Sequence, residues 1–262
     1  MTTVLKLGGS VVTQKDSRET VDDDALSALA ADIAGVAARP PDETAASAEP
    51  TDAPAPADLA VVHGGGSFGH FHAEEWGVTT TEGTHSAPGA LAIHEAMKTL
   101  NRAVLDSLQS RDVPALPVHP LSVGARDATG DLSLPLDSTQ RLLGEGFVPV
   151  LHGDGVAHEG EGVTVLSGDE IVVRLAEGLD ADRVGLCSTV PGVLDDEGDV
   201  VPTIGSFDDV AHVLGGSDTT DVTGGMAGKV RTLLALDAPA YVFGPEGVAD
   251  FLAGGSPGTR ID

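Results

Sequence analysis

The stretch Val-Leu-Lys-Leu-Gly-Gly-Ser at residues 4–10 carries the pattern on which the rest of the chain is built. Its apolar first half predicts a short strand, and that strand runs directly into two glycines. A second strand, at residues 59–62, enters the glycine-rich sequence His-Gly-Gly-Gly-Ser-Phe-Gly-His at residues 63–70. Glycines that follow a strand let the backbone approach a phosphate, and amide groups at a helix start point their partial positive charge at it.

Four strand-to-turn junctions of this type occur, at residues 7–10, 63–69, 152–155 and 223–229. One glycine-rich loop would be weak support, but four of them favour a polyanion site. Gly64, Gly66 and Gly69 also match the dinucleotide fingerprint, yet the acidic residue expected about 20 positions later is not at a strand end. The segment ending at Lys229 is not a P-loop, because Val230 replaces the metal-binding hydroxyl residue and the glycine spacing is one residue short.

Apolar periodicity predicts an α/β fold with a mostly parallel open sheet that is covered by helices on both faces. One helix is expected at residues 22–38, with Asp22 or Asp23 as its N-cap, and another at 89–110. Further strands are expected at 113–118, 147–151, 163–166, 183–187 and 240–243, and further helices at 137–144, 168–178, 226–236 and 246–252. Residues 40–58 change abruptly to Pro, Ala and acidic residues, which predicts a poorly ordered surface insertion within one domain spanning residues 1–262.

The charge balance is strongly acidic, with 41 Asp and Glu against 14 Lys and Arg and a formal net charge of −27. Such a chain repels nucleic acid, and its periodic apolar segments argue against an acidic disordered protein. The composition favours a protein adapted to molar salt, where the Debye length is about 3 Å. The start of the sequence shows no secretion signal, no segment is apolar enough to span a membrane, and Cys187 has no cysteine partner. We therefore expect a cytoplasmic protein.

Lysine is scarce, with only Lys6, Lys15, Lys98 and Lys229 in the whole chain. Acidic adaptation removes surface lysines, so those that remain are enriched where an ammonium group is chemically required. Lys6, Lys15 and Lys229 lie in or near glycine-rich turns, whereas Lys98 is expected to be a solvated charge on a helix. The alternative for the first three is that they are surface lysines whose stems cover apolar groups.

Four motifs together resemble the amino-acid kinase superfamily: Lys6 to Ser10, His63 to His70, Ser167 to Asp169, and Gly224 to Lys229. The motif that ends in His70 is similar to that of the isopentenyl phosphate kinases. The resemblance implies a three-layer αβα sandwich, with an acceptor-binding lobe at about 1–165 and a nucleotide-binding lobe at about 166–262. It also implies ATP with Mg²⁺, isopentenyl phosphate as acceptor, and a homodimer.

The resemblance implies a role for each motif residue. Lys6 would hold the transferring phosphoryl group, Lys15 would reach the phosphates, and Asp169 would organise the lysines. Contacts to the nucleotide would come from Lys6, Leu7, Gly8, Gly9, Ser10, Gly66, Gly225 and Lys229. Contacts to the acceptor phosphate would come from Gly65, His70 and Gly153. No protein residue is expected to be a metal ligand.

Chemistry supports a kinase without a general base, because a phosphate monoester is already mostly dianionic at neutral pH. The difficulty is to bring two anions together, which lysines, amides and Mg²⁺ offset. Each assignment has an alternative: His70 could cap a helix or bond a carbonyl, and Asp169 could be a helix N-cap. Asp154 and residues 195–197 are expected to be solvated turn acids.

Rival functions stay open at this stage. A kinase of the same superfamily acting on fosfomycin, UMP, acetylglutamate or glutamate would share Lys6, Asp169 and Lys229. A non-catalytic anion sensor on the same fold would not need all three motif lysines.

Overall fold

The fold combines a large sheet, a small sheet and flanking helices in a computed structural model that describes residues 1–38, 58–214 and 225–262. The strands in these ranges are β1 (Thr2–Leu7), β2 (Asp58–His63), β3 (Ala115–Pro117), β4 (Ala125–Arg126), β5 (Leu132–Ser133), β6 (Val148–His152), β7 (Asp154–His158), β8 (Gly162–Leu166), β9 (Arg183–Cys187), β10 (Thr203–Ile204), β11 (Ala240–Phe243) and β12 (Thr259–Ile261). The helices are α1 (Gly9–Val12), α2 (Asp23–Ala37), α3 (Gly66–Glu75), α4 (Ala87–Gln109), α5 (Asp137–Gly144), α6 (Gly168–Gly178), α7 (Ala211–Leu214), α8 (Gly225–Leu233) and α9 (Val248–Leu252).

The large sheet has eight strands in the order β10-β12-β11-β9-β1-β2-β6-β3. Neighbouring strands from β11 to β3 in this order are parallel. Strand β12 runs antiparallel to β11, and β10 pairs with β12 in parallel. Parallel register aligns Leu7 with His63 and Cys187, and His63 with His152. The carboxyl ends of four adjacent strands therefore meet at one edge of the sheet.

Helices cover both faces of this sheet, which confirms the α/β sandwich expected from the sequence. Leu5 and Leu7 of β1 join the apolar cluster under α2, α4 and α9, while Val4 joins the cluster under α6 and α8. Side chains alternate along a strand, so Lys6 projects to the same face as Val4. That face carries α6, which is why the Lys6 ammonium group faces the start of this helix.

The small sheet, ordered β5-β4-β7-β8, was not expected from the sequence. The interpretation of residues 152–155 as a turn with a solvated Asp154 is wrong. Gly153 separates β6 from β7 by a single residue, and Asp154 starts β7 opposite Leu166. The Asp154 side chain is buried and is held by His94 Nδ1, 2.9 Å from both carboxylate oxygens, and by the Gly155 and Leu121 amides. These bonds offset the cost of burying a carboxylate.

The helices predicted from periodicity are largely confirmed. Asp22 caps α2 by accepting a hydrogen bond from the Ala25 amide, and α5 and α6 span the expected residues 137–144 and 168–178. Helix α3 was missed, because its first turn is the glycine-rich motif itself. The insertion predicted at 40–58 lies outside the described residues apart from Asp58, which opens β2. Among the described residues, no helix is both long and apolar enough to cross a membrane.

Candidate active site

A cleft of about 310 Å³ opens where the strands of the large sheet end. It is lined by Lys6, Gly8, Gly9, Ser10 and Val11 after β1, by Gly64, Gly65, Gly66 and His70 after β2, by Ser167, Gly168 and Asp169 after β8, by Leu186, Cys187, Ser188, Thr189 and Val190 around the end of β9, and by Met226, Lys229 and Val242. Three of the four sequence motifs thus meet, together with two residues of the fourth. Ligands characteristically bind at this edge of an open α/β sheet.

Two glycine loops form the floor of the cleft by packing backbone against backbone. A Cβ atom on Gly9 would lie 2.2 Å from the Gly66 nitrogen, and one on Gly64 would lie 2.6 Å from the Gly9 nitrogen. Gly66 also has a φ of +47°, in the left-handed region that glycine adopts without a steric penalty. Side chains at these positions would push the loops apart, so the glycines create a backbone-lined surface.

Two helices begin at this surface. Gly66 opens α3 and Gly168 opens α6, and both residues line the cleft. The first amide groups of a helix have no acceptor within the helix, and the helix dipole places partial positive charge there. The arrangement therefore offers several N–H donors to an anion in a protein whose overall charge is strongly negative.

Lys6 and Asp169 form an ion pair inside the cleft, with 2.6 Å between Lys6 Nζ and Asp169 Oδ1. Lys6 itself is buried. Asp169 is not the N-cap of α6, because Ser167 occupies that position and forms a capping box with Glu170. Arg126, from the small sheet, holds Glu170 through a 2.5 Å contact between Nη2 and Oε1. The Asp169 carboxylate is thus left free to hold the lysine.

His70 lies at the fifth position of α3 and is exposed, and its imidazole makes no hydrogen bond to any part of the chain that the structure describes. Among the described residues, the ring neither caps the helix nor bonds a carbonyl, so the role proposed for this residue from the sequence stays a prediction. Lys229, in the first turns of α8, borders the same cleft from the other side. Lys6, Lys229 and the His70 imidazole therefore border one cleft.

The remaining predicted residues lie near the cleft or away from it. Gly153 is not in the lining, but a Cβ on it would be 3.6 Å from the Gly168 nitrogen and 3.9 Å from the Gly65 nitrogen. Gly225 starts α8 just beside the lining, and the Leu7 side chain is buried in the core. Lys15 is exposed on the connection between α1 and α2 and does not line the cleft. Thr223 and Gly224 lie outside the described residues.

The sequence interpretation missed Ser188, Thr189 and Val190, which line the cleft after β9. Residues 188–190 contain no glycine, so this junction did not resemble the four glycine-rich junctions found in the sequence. The strand prediction alone could have found these residues, because the carboxyl ends of parallel strands share one edge.

Cys187 contributes to the cleft without being a nucleophile. Burial raises the pKa of its thiol to about 12, so the reactive thiolate is absent at neutral pH. Its carbonyl accepts a hydrogen bond from the Gly8 amide at 2.9 Å and so supports the first glycine loop. The chemistry available in the cleft is anion binding by lysines and amides.

The sequence profile described as the amino acid kinase family matches residues 1–237 of this chain. The chain belongs to the amino acid kinase family. The resemblance inferred from the four motifs is therefore confirmed.

Several relatives of this chain share the name isopentenyl phosphate kinase. A protein of Haloferax volcanii named isopentenyl phosphate kinase is 61% identical over 258 residues, which cover 98% of this chain and 97% of the relative. A protein of the same name from Methanocaldococcus jannaschii is 31% identical and covers 100% of this chain and 99% of its own. A solved structure described as that of an isopentenyl phosphate kinase matches with a TM-score of 0.79 and 28% identity over 100% of both chains.

Proposed function

We propose that this chain transfers the γ-phosphoryl group of ATP to isopentenyl phosphate and so forms isopentenyl diphosphate. One observation carries the proposal: Lys6, Lys229 and His70 line one cleft whose floor is glycine backbone. The 61% identity to the Haloferax volcanii isopentenyl phosphate kinase supports the choice of acceptor.

The reaction must bring two anionic substrates together, and the positive groups of this cleft can offset their repulsion. An oxygen of the acceptor phosphate attacks the γ-phosphorus while the bond to the β,γ-bridging oxygen breaks, and ADP leaves. Two unit charges 4 Å apart repel by about 4 kcal/mol at an effective dielectric of 20. Lys6 is proposed to hold the transferring group, and the Asp169 carboxylate keeps the ammonium group aimed into the cleft. The acceptor is already dianionic at neutral pH, so no general base is required.

The nucleotide side is proposed to comprise the Leu7–Ser10 backbone, Gly66, Gly225 and Lys229. Mg²⁺ would enter as the MgATP complex, since this ion is usually held by phosphates with one or two carboxylates. Among the residues lining the cleft, Asp169 alone has a carboxylate, and no group of three His, Cys, Asp or Glu in the described ranges suits a metal. The bound ion would neutralise charge on the triphosphate.

The acceptor side is proposed to comprise Gly65, His70 and Gly153, with the imidazole donating to a phosphate oxygen. Lys15 is proposed to approach the phosphates from its exposed connection once both substrates are bound. That connection is anchored to α3 by the Glu19 amide, which donates to the Ser67 carbonyl at 3.1 Å.

The experiment is an ATP-consumption assay in high KCl with Mg²⁺ and one acceptor at a time. The acceptors are isopentenyl phosphate, dimethylallyl phosphate, UMP, acetylglutamate, glutamate and fosfomycin. We expect kcat/KM to be highest with isopentenyl phosphate. A higher value with UMP, an amino acid or fosfomycin would assign the chain to that branch of the family. Nucleotide binding with no turnover of any acceptor would support the anion sensor instead.

Three properties of the whole protein belong to the same proposal: a homodimer, a cytoplasmic location and adaptation to high salt. They rest on the family resemblance and on the composition.

A further inference from the structure

Two buried histidines lie directly beneath the acceptor side of the cleft. His63 ends β2, His152 ends β6, and the parallel register of these strands pairs them. Both are fully buried, and their rings stack with centroids 5.5 Å apart. Sequence analysis assigned neither of them a role.

Each of the two rings bonds the glycine that follows it in the chain. His63 Nδ1 lies 3.1 Å from the Gly64 carbonyl, and His152 Nδ1 lies 2.8 Å from the Gly153 carbonyl. A carbonyl oxygen only accepts hydrogen bonds, so Nδ1 must carry the proton in both rings. In a neutral ring, Nε2 is then an acceptor.

The other contacts of the two rings agree with this tautomer. His63 Nε2 accepts from the Asn101 side-chain amide at 3.1 Å, and His152 Nε2 accepts from His119 Nδ1 at 2.8 Å. Burial lowers the pKa of His63 to about 4 and that of His152 to about 3, so both rings stay neutral near pH 7. Two buried donors are thus dedicated to two glycine carbonyls.

Peptide geometry connects the Gly64 bond to the cleft. The Gly64 carbonyl and the Gly65 amide belong to one planar trans peptide, whose C=O and N–H point in opposite directions. Because the Gly64 carbonyl is held toward His63, the Gly65 N–H points away from His63. Gly65 lines the cleft, and its N–H makes no hydrogen bond with the described residues.

The bond from His152 acts on the neighbouring glycine. Gly153 packs against the Gly65 and Gly168 nitrogens, close enough that a Cβ on it would touch both. The orientation of the Gly153 peptide therefore helps to fix the positions of the Gly65 and Gly168 amides. The stacked rings of His63 and His152 thus support the floor of the acceptor side at Gly64 and Gly153.

We propose that His63 and His152 are positioning residues that orient the Gly64 and Gly153 peptides, and thereby the Gly65 amide, toward the phosphate of the acceptor. The inference deepens the proposed function and rests on it for the identity of the acceptor. Neither ring touches substrate. They act through the glycine backbone, so their loss should weaken acceptor binding more than nucleotide binding.

The first test is ¹⁵N NMR of the histidine rings in the wild-type protein, with inorganic phosphate as the probe. We expect both rings to be Nδ1–H tautomers that stay neutral down to about pH 5, and phosphate to shift the Gly65 amide signal. The surrounding titratable groups are each other, His119 and Asp154, with His94, Lys98 and Glu95 acting on His119. An Nε2–H tautomer in either ring, titration near pH 6.5, or an unshifted Gly65 amide would overturn the inference.

The second test is kinetic and compares two variants of His152. His152→Phe keeps a stacked ring but loses both nitrogens, whereas the amide of His152→Asn can replace the Nδ1 donor. Loss of one such bond should raise the KM of the acceptor about 10-fold in the Phe variant, with the KM of ATP within about twofold of wild type. The Asn variant should recover most of the loss. His63→Phe and His63→Asn should behave in parallel, and His158→Phe, which removes a ring bonded to Thr164, is the control.

The kinetic test separates the inference from the proposed function. If the wild type prefers another acceptor, the proposed function fails, and both Michaelis constants are measured with that acceptor instead. Equal changes in the two constants, no change in either, or no recovery in the Asn variants would overturn the positioning role.

Discussion

At the scale of single residues, the cleft concentrates positive charge in a protein that carries little of it. Two of the four lysines line the cleft, and Lys98 instead pairs with Glu95 on α4 at 2.9 Å. The buried Lys6 is held by one carboxylate, so its charge is partly compensated before substrate arrives.

His70 tests the acceptor side at this scale. We expect His70→Ala to lower kcat/KM for isopentenyl phosphate about 10- to 100-fold, since a hydrogen bond to a charged group contributes about 1.5–3 kcal/mol. The KM of ATP should change little. Steady-state kinetics with each substrate varied in turn measures both effects, with His158→Ala as the control. Unchanged turnover in His70→Ala would remove the argument that this imidazole contacts the acceptor.

The two cleft lysines make a separate prediction. Lys6→Met and Lys229→Met should each lower kcat about 100- to 1000-fold, as expected when a group that stabilises developing charge is removed. Single-turnover phosphoryl transfer measures the effect, and circular dichroism checks that each variant is folded. Lys98→Ala removes a lysine outside the cleft and should retain nearly full activity. A fully active Lys6→Met, Lys229→Met double variant would end the kinase proposal.

At the scale of elements, function depends on how closely two strand-to-helix connections approach each other. The loops after β1 and β2 contact each other through backbone atoms, and the helix that follows β2 starts within the contact. On the other side, the capping box of α6 and Arg126 hold the first turn that carries Asp169. Residues such as Arg126, which do not line the cleft, therefore help to decide where the amides of the cleft lie.

A pair of glycine substitutions tests this arrangement. Gly9→Ala would place a Cβ against the Gly66 nitrogen, and we expect it to cost about 1–3 kcal/mol of unfolding free energy, as overpacking does, and most of the activity. Gly35→Ala is the matched control, because a Cβ at this exposed position of α2 meets nothing within 4 Å. It should stabilise the protein by about 0.5–1 kcal/mol. Denaturant unfolding in high KCl compares them, and an active, stable Gly9→Ala would refute the packing argument.

At the scale of the whole molecule, the net charge of −27 predicts that the stability of the fold depends on salt. Carboxylates spread over the surface repel one another, and only salt at a Debye length of about 3 Å nearly removes the repulsion. The compact state suffers more from this repulsion than the expanded chain does.

Thermal unfolding measures this dependence directly. We expect Tm to rise by about 10 °C or more between 0.2 and 2 M KCl, which corresponds to about 3 kcal/mol for a chain of this size. Sucrose at matched osmolality separates screening from solute exclusion and should produce a smaller rise. A Tm that is independent of KCl would contradict adaptation to high salt.

The sequence pattern predicted the elements in which apolar residues recur over several turns, and it missed those without such a recurrence. Helices α2, α5 and α6 were predicted because their apolar residues recur at helical spacing between clear start and stop signals. Helix α3 was missed because its glycines indicate a turn, although tertiary packing against α4 supports it as a helix. Strands β4 and β5 were missed because two residues carry no periodicity. The five-residue β7 was missed because it follows Gly153 directly, so that its start was interpreted as a turn.

The sequence by itself determined the sheet class, the family and the residue types of the cleft, because glycine loops, scarce lysines and the motif around His70 are local and can be read in order. Only the tertiary structure decided which residues meet. Pairing of β2 with β6 buries His63 and His152 side by side, β7 takes Asp154 out of solvent, and alternation along β1 turns Lys6 toward Asp169. These outcomes depend on strand register and burial, which join residues that are tens of positions or more apart in the chain.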